Sequence, residues 1–298
     1  MRNLKLVVEF DGTKYAGWQY QPRHQTVQGE LESAVGKILQ KKVTVYGCGR
    51  TDAGVSARAY IANVHIDSPL SIARLRLAVN HFLPEDILVT SVEEVKPGFH
   101  ARHSALGKTY VYRIVRRKSP LRRRHAWEYW FKLDVEKMRK AARLFEGAKD
   151  YRPFCQTSDQ DGVCRVRRVR VCAGHDRENG DCTGARFYGG EATRQMRASE
   201  GLSPVFAKGR VPSPVTARAT IEFSDNSDRV PIPEDEVLVT VEGDRFLYKM
   251  VRRIVGALVA CGSGRLTQKD IRAALAGRPY QPFQTAPAQG LLLHSVEY

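Results

Sequence analysis

Apolar and polar positions alternate along the chain in two rhythms, one of period two and one near 3.6, and these divide it into strands and helices. Residues 4–10, LKLVVEF, read as a strand. From Thr26 to Gln40, Val27, Leu31, Ala34, Val35, Ile38 and Leu39 recur at helical spacing, which predicts a helix. Strands are predicted near 43–46 and 59–66, then a helix over 71–83 with Ile72, Leu75, Ala78, Val79 and Phe82 on one face and Pro84 stopping it, then a strand near 87–95. That order is β-α-β-β-α-β, the ferredoxin-like arrangement. The pattern then starts again. KTYVYRIVR (108–116) reads as a strand, WEYWFKL follows, and a helix is predicted over Val135–Glu146 with Asp134 capping it and Gly147 ending it. Further strands are predicted near 168–172, 217–223 and 237–242, then an apolar helix over about 246–261. A last helix starts at Thr267, with Asp270 completing a capping box, and the strand GLLLHSVEY closes the chain. The fold class predicted is α+β: two ferredoxin-like halves, 1–105 and 106–298, with a joined, mainly antiparallel sheet flanked by helices. Between about 173 and 216 periodicity gives way to Gly, Ser, Pro and charges of both signs, which reads as an insertion between strands.

At 298 residues the chain is long enough for roughly two domains and a large core. Charge sharpens the picture. The 48 Lys and Arg outnumber the 32 Asp and Glu by 16, which implies an anionic partner. The excess is concentrated in arginine bursts such as RIVRRKSPLRRRH (113–125), CRVRRVRV (164–171) and MVRRIVG (250–256). Arginine pairs with phosphate bidentately and stacks on bases, and Tyr110, Tyr112, Trp127, Tyr129, Trp130, Phe246 and Tyr248 are interleaved with these bursts. A solvated basic face or an acidic protein partner is the competing reading. No apolar stretch reaches the length of a membrane span, and the opening MRNLKLVVEF runs straight into a strand pattern, so a cytoplasmic chain is expected. The six cysteines, at 48, 155, 164, 172, 182 and 261, are too irregular for a disulfide framework; a zinc site from the four between 155 and 182 with His175 is the competing reading, but without C-x-x-C or H-x-x-x-H spacing they read as free thiols.

One short stretch carries candidate chemistry: YGCGRTDAGVSAR, residues 46–58. Its outline suggests a phosphate loop, but Val55 stands where the lysine should be. A dinucleotide fingerprint fails as well, because a carboxylate, Asp52, occupies the position of the required glycine. Taken alone, Asp52 two residues before Gly54 reads as an Asx-type turn.

In its wider setting the stretch resembles the TruA-type tRNA pseudouridine synthases. The likeness lies in an ordered series: EFDGTKYAGWQYQ (9–21), TVQGELE (26–32), GCGRTDAGVSA (47–57), FHARHSALGKTYVYRI (99–114), FLYKMVRRIVG (246–256) and APAQGLLL (286–293). Two departures stand out. Ser56 replaces a histidine common in bacterial members, as in archaeal and eukaryotic forms, and the 173–216 segment is long for the family.

The resemblance implies an isomerase that turns uridine into pseudouridine in the anticodon stem-loop of tRNA, around positions 38–40, with no cofactor and no metal. It implies a homodimer bound to tRNA. Asp52 matches the family's catalytic aspartate, acting as a nucleophile or as a base toward the sugar. Tyr110 matches the tyrosine that stacks on the target base, with a hydroxyl placed to help remove the C5 proton. Arg252 matches the arginine that pairs with the aspartate, and Arg253 is its adjacent alternative. A carboxylate shut away from water needs such a countercharge to stay ionised. Arg50, Arg58 and Arg102 are candidates for phosphate contact or for orienting the loop, Tyr112 shares the strand face of Tyr110, and Leu292 reads as apolar wall. The alternative function is a non-catalytic RNA-binding or RNA-chaperoning protein on the same scaffold. It would need the arginines and aromatics but has no use for a carboxylate in an anionic ligand's groove. An Asp-based glycosidase lacks an evident partner acid.

Overall fold

The structure is a computed structural model that describes residues 1–156, 161–174 and 233–298. Among these residues, ten strands and five α-helices run in the order β1 (Arg2–Phe10), α1 (Val27–Leu39), β2 (Val45–Gly47), β3 (Ser56–Ile66), α2 (Ile72–Phe82), β4 (Ile87–Val95), β5 (Gly107–Val115), β6 (Trp127–Glu128), α3 (Val135–Ala142), β7 (Gly147–Asp150), β8 (Val163–Ala173), β9 (Glu236–Gly243), α4 (Met250–Gly262), α5 (Gln268–Leu275) and β10 (Leu291–Glu297). The helix starts follow the capping chemistry of the sequence. Thr26, Ser71 and Asp134 each accept an N–H of the first turn, and Thr267 with Asp270 forms the capping box.

One sheet runs through the molecule in the order β4-β1-β3-β10-β5-β9-β8-β7. Adding β2, which pairs with the far end of β3, gives 4-1-3-2 for the first four strands, and β10-β5-β9-β8 repeats that order in the second set. Strand β3 makes this possible by being long. Its C-terminal part, Ala62–Val64, pairs with β2, while Ser56 and Ala57 pair in parallel with Leu292 and Leu293 of β10. The seam between the two halves of the sheet therefore lies at Ser56 and Ala57, near the end of the YGCGRTDAGVSAR stretch. Apart from β3–β10 and the short β5–β6 pairing, the ladders are antiparallel.

Two apolar cores sit beneath the helices. Leu4, Leu6, Phe10, Leu31, Tyr60 and Ile66 build one, and Tyr112, Ile114, Met138, Phe154, Ile254 and Leu258 the other. Tyr110 packs against both, and Val55, from the loop of the first half, is buried in the core of the second. The loop carrying Asp52 is thus clamped across the seam.

Several expectations are corrected. The helix predicted to reach Glu146 ends at Ala142 and tightens into a 3₁₀ turn over Arg143–Phe145. WEYWFKL contributes a strand of only two residues, and Trp130 and Phe131 point to solvent. The strand expected at 168–172 extends over Val163–Ala173, and β7 was not foreseen. Cys172 is disulfide-bonded and not a free thiol, whereas Cys48, Cys155, Cys164 and Cys261 are buried thiols outside any disulfide. The strand near 217–223 and the insertion beyond Gly174 lie outside the described residues. Among the described residues, no helix is long and apolar enough to cross a membrane.

Candidate active site

Asp52 is held by a backbone turn that leaves its side chain free. The N–H of Val55 donates to the carbonyl of Asp52 (3.2 Å), and the N–H of Gly54 donates to Tyr15 O (3.3 Å), so the carboxylate does not close the loop as an Asx turn would. Behind the turn, Ser56 is buried, and the N–H of Gly12 donates to its Oγ at 3.0 Å. Ser56 therefore ties the loop to the segment that follows β1.

The carboxylate meets Arg252. Arg252 Nη1 donates to Asp52 Oδ2 at 2.6 Å, with side-chain exposures of 13% and 16%. Arg252 and Arg253 are the only charged residues of α4 and lie in its first turn, where the helix dipole disfavours cations. Each is offset by acceptors. Arg252 Nε donates to Ala286 O (2.7 Å), while the N–H of Ala286 donates back to Arg252 O (3.1 Å). Gly256, one turn further on, lets the 284–286 segment lie directly on the helix: a Cβ there would fall 1.8 Å from Gln284 O. Arg253, the adjacent alternative, turns to the carbonyls of Cys155 (2.6 Å) and Pro153 (3.4 Å) and takes no part in the pair.

Tyr110 rises from the middle of β5 between the two cores, with the ring of Phe246 edge-on at 5.2 Å. Burial first, then the neighbouring Cys48 and Asp52, raise its hydroxyl above the usual tyrosine value, so it is a neutral phenol at working pH. Tyr112 shares that strand face but is fully buried. Its hydroxyl donates to Pro287 O (2.8 Å), so it braces the segment that holds Arg252.

The structure gathers Asp52, Arg252 and Tyr110 but spreads the remaining candidates. Arg50 and Arg102 are exposed and, among the described residues, have no side-chain ion pair. Arg58 is exposed on β3 beside β10, its Nη1 3.4 Å from His294 Nε2. Leu292 is buried with Val111 and Leu238. The burst at 113–125 is also divided: Arg113, Arg117 and Arg122 are drawn into contacts with Asp235 and Glu236, while Arg123 and Arg124 stay exposed. With Thr13, Trp127, Trp130 and Gln289 they line a groove of about 440 Å³. It adjoins the site through Ala288, whose Cβ lies against Gly54. Sequence reasoning missed the backbone of Ala286, since a carbonyl carries no side-chain signature. Among the described residues, no cluster of three or more His, Cys, Asp or Glu could hold a metal.

Comparison with known proteins places the chain in a family. A family model described as tRNA pseudouridine synthase matches residues 6–104 and 141–298. Tyr110 falls between the matched spans but within the alignments to full-length relatives. The chain is 35% identical over 302 residues to tRNA pseudouridine synthase A of Solibacter usitatus and 33% identical over 303 to that of Geobacter sulfurreducens, covering all of both chains. It is 35% identical over 301 residues to the Syntrophotalea carbinolica protein of the same name, covering 97% of that protein. A solved structure titled "Crystal Structure of a Cbf5-Nop10-Gar1 Complex" aligns with TM-score 0.29 at 12% identity, over 86% of this chain and 53% of that one, too slight a likeness to argue from. With a family model over most of its length and full-length relatives above 30% identity, the chain belongs to the tRNA pseudouridine synthase family, on its TruA-type branch, a family of isomerases.

Proposed function

We propose that the chain isomerises uridine to pseudouridine in the anticodon stem-loop of tRNA, in the region of positions 38–40, with Asp52 as the nucleophile and no cofactor. The observation that carries this reading is the single-bonded ion pair of Asp52 and Arg252 beside the Tyr110 ring, in a cleft between the two cores. The reaction breaks the bond between N1 and C1′, turns the base and rejoins it through C5. It therefore calls for a carboxylate that acts as nucleophile or as base toward the sugar, a surface for a flipped base and a route for the C5 proton. Asp52 keeps one oxygen open, because Arg252 engages only Oδ2. Tyr110 supplies the aromatic face, and stacking there returns roughly 1–3 kcal/mol of the cost of extruding the base. Its neutral hydroxyl cannot act as a phenolate base, so its share in proton removal is to accept one proton as it passes on its own. The groove with Arg123, Arg124 and Trp130 supplies charge and an aromatic surface for the RNA flanking the target.

A homodimer that grips one tRNA across both subunits, in the cytoplasm, completes the proposal. The test uses anticodon-arm RNAs with tritium at C5 of a single uridine, placed at 38, 39, 40 or a distant position. Release confined to the 38–40 labels supports the assignment, and release only from distant labels overturns the choice of target.

A further inference from the structure

The cleft also holds a cation to which no role has been given. Lys108 lies on β5 two positions before Tyr110, so both side chains leave the same face of the strand. Its half-buried ammonium passes across Gly49, three residues before Asp52, and a Cβ on Gly49 would lie only 3.1 Å from Nζ. Any side chain at 49 would crowd the ammonium. Among the described residues, no carboxylate forms an ion pair with Nζ and no acceptor takes a hydrogen bond from it. Cys48, beside it, offers no countercharge. Its thiol is fully buried, and burial pushes it up, so it stays protonated even with an ammonium nearby. Burial first, and then Arg102, oppose the charge on Lys108. An ammonium partly stripped of water and left without an anion costs stability, and an anionic ligand entering the cleft relieves that cost.

Resting on the reading of this cleft as a uridine site, we propose that Lys108 binds a backbone phosphate flanking the flipped uridine. Base and backbone would then be held from adjacent same-face positions of one strand. Those positions are about 6–7 Å apart, comparable with the reach of one nucleotide from base to phosphate. A uracil carbonyl would be served by a neutral donor. A lysine head, which meets an anion as an ammonium, matches the charged group of RNA, and its compact shape suits a single phosphate oxygen beside Gly49 better than a planar guanidinium would.

The test couples a protein charge to an RNA charge. Wild type, Lys108→Gln and Lys108→Met bind anticodon-arm RNA in which a neutral methylphosphonate replaces each phosphate flanking the target uridine in turn. Lys108→Gln is expected to weaken binding of unmodified RNA about tenfold or more and to reduce the slope of log affinity against log salt by about 0.7. Its single-turnover rate at subsaturating RNA should fall by the same factor as its affinity. One methylphosphonate should cost wild type a similar factor and cost the variant little. An unchanged salt slope, or equal losses for wild type and variant at both linkages, would overturn the proposal. If Lys108→Gln fails to fold, Lys108→Met, which keeps the apolar stem, takes its place. A wild type indifferent to both methylphosphonates would overturn the proposal without any variant. Absence of tritium release by wild type from every unmodified RNA would instead sink the parent reading.

Discussion

Two arginine–carboxylate sites in this molecule are similarly buried and oppositely wired. At Glu236, whose side chain is 2% exposed, Arg113 donates to separate oxygens through Nε and Nη2, both at 2.8 Å, and Arg122 adds Nη1 at 2.6 Å. Asp235 beside it takes Nη1 (3.1 Å) and Nη2 (2.5 Å) of the same Arg122 and a further bond from Arg117. At Asp52, one bond from Arg252 reaches one oxygen, and the rest of that guanidinium is steadied by a backbone carbonyl. A network in which both oxygens of each carboxylate are engaged offers none to an incoming atom, so what it contributes is geometry: it clamps the 116–125 loop to the start of β9. An unsaturated pair held by its surroundings keeps an oxygen for an incoming electrophile. The number of bonds per carboxylate, more than burial or charge, separates the structural site from the one proposed to do chemistry.

The sharpest way to break this comparison is to remove each acid in turn. Asp52→Asn should lower turnover at least ~10³-fold while changing stability by less than about 1 kcal/mol, checked by single-turnover assay and denaturant melt. Glu236→Ala should do the reverse. It leaves Arg113 and Arg122 facing a void, at a cost of about 3–5 kcal/mol, with the rate per folded molecule unchanged. Next in size are the neighbouring arginines of α4. Arg252→Ala should slow turnover ~10²-fold and Arg252→Lys less, because lysine restores charge but not the fork that spans Asp52 and Ala286. Arg253→Ala should lower the unfolding midpoint by strippping the Cys155 and Pro153 carbonyls of a donor, with little effect on rate. A smaller effect is expected at Tyr110: Phe keeps the stacking face and should lose roughly tenfold in rate with unchanged RNA affinity, whereas Ala should lose both.

The smallest effect belongs to Asp235, and its sign follows from the contacts. Arg122 first, and then Arg117, lower its carboxyl to about 2 in the folded protein. The ordinary value is about 3.9 in the unfolded chain. The stabilisation is therefore complete above about pH 4 and is lost as pH falls toward 2. Asp235→Asn should cost of order 1–2 kcal/mol at neutral pH and flatten the acid limb of stability between about pH 4 and 2. An acid limb that keeps its wild-type slope would show that Arg122 and Arg117 do not act through this carboxylate.

How much of this was legible before the structure depended on where the information resides. Elements with a strong apolar stripe and a capping residue, such as α1 and α2, lie within a residue or two of their predicted limits, and α5 starts where its capping box places it. Strand β7, GAKD, has no apolar alternation to announce it; its pairing with β8 makes it a strand. Strand β8 was half seen because Arg165, Arg167 and Arg168 interrupt the apolar rhythm of its first half. At the site, Asp52, Tyr110 and Arg252 were named from motif resemblance. Periodicity alone left Asp52 as a turn-former, and the observed turn shows why that reading fails, since the backbone closes it without the side chain. The arginine bursts misled in a different way. Composition counts charges but does not say which carboxylates await them, so Arg113, Arg117 and Arg122 looked like RNA contacts until Asp235 and Glu236, more than 100 positions away in the chain, appeared against them.

The central claim is that the open oxygen of Asp52 performs the chemistry. It is tested most directly by single-turnover tritium release from anticodon-arm RNA labelled at C5 of the target uridine, run with wild type and Asp52→Asn at concentrations where filter binding shows the RNA fully bound to each. The account predicts rapid release by wild type and none above background by Asp52→Asn, with matched RNA affinities. Release by Asp52→Asn at a near-normal rate would contradict it.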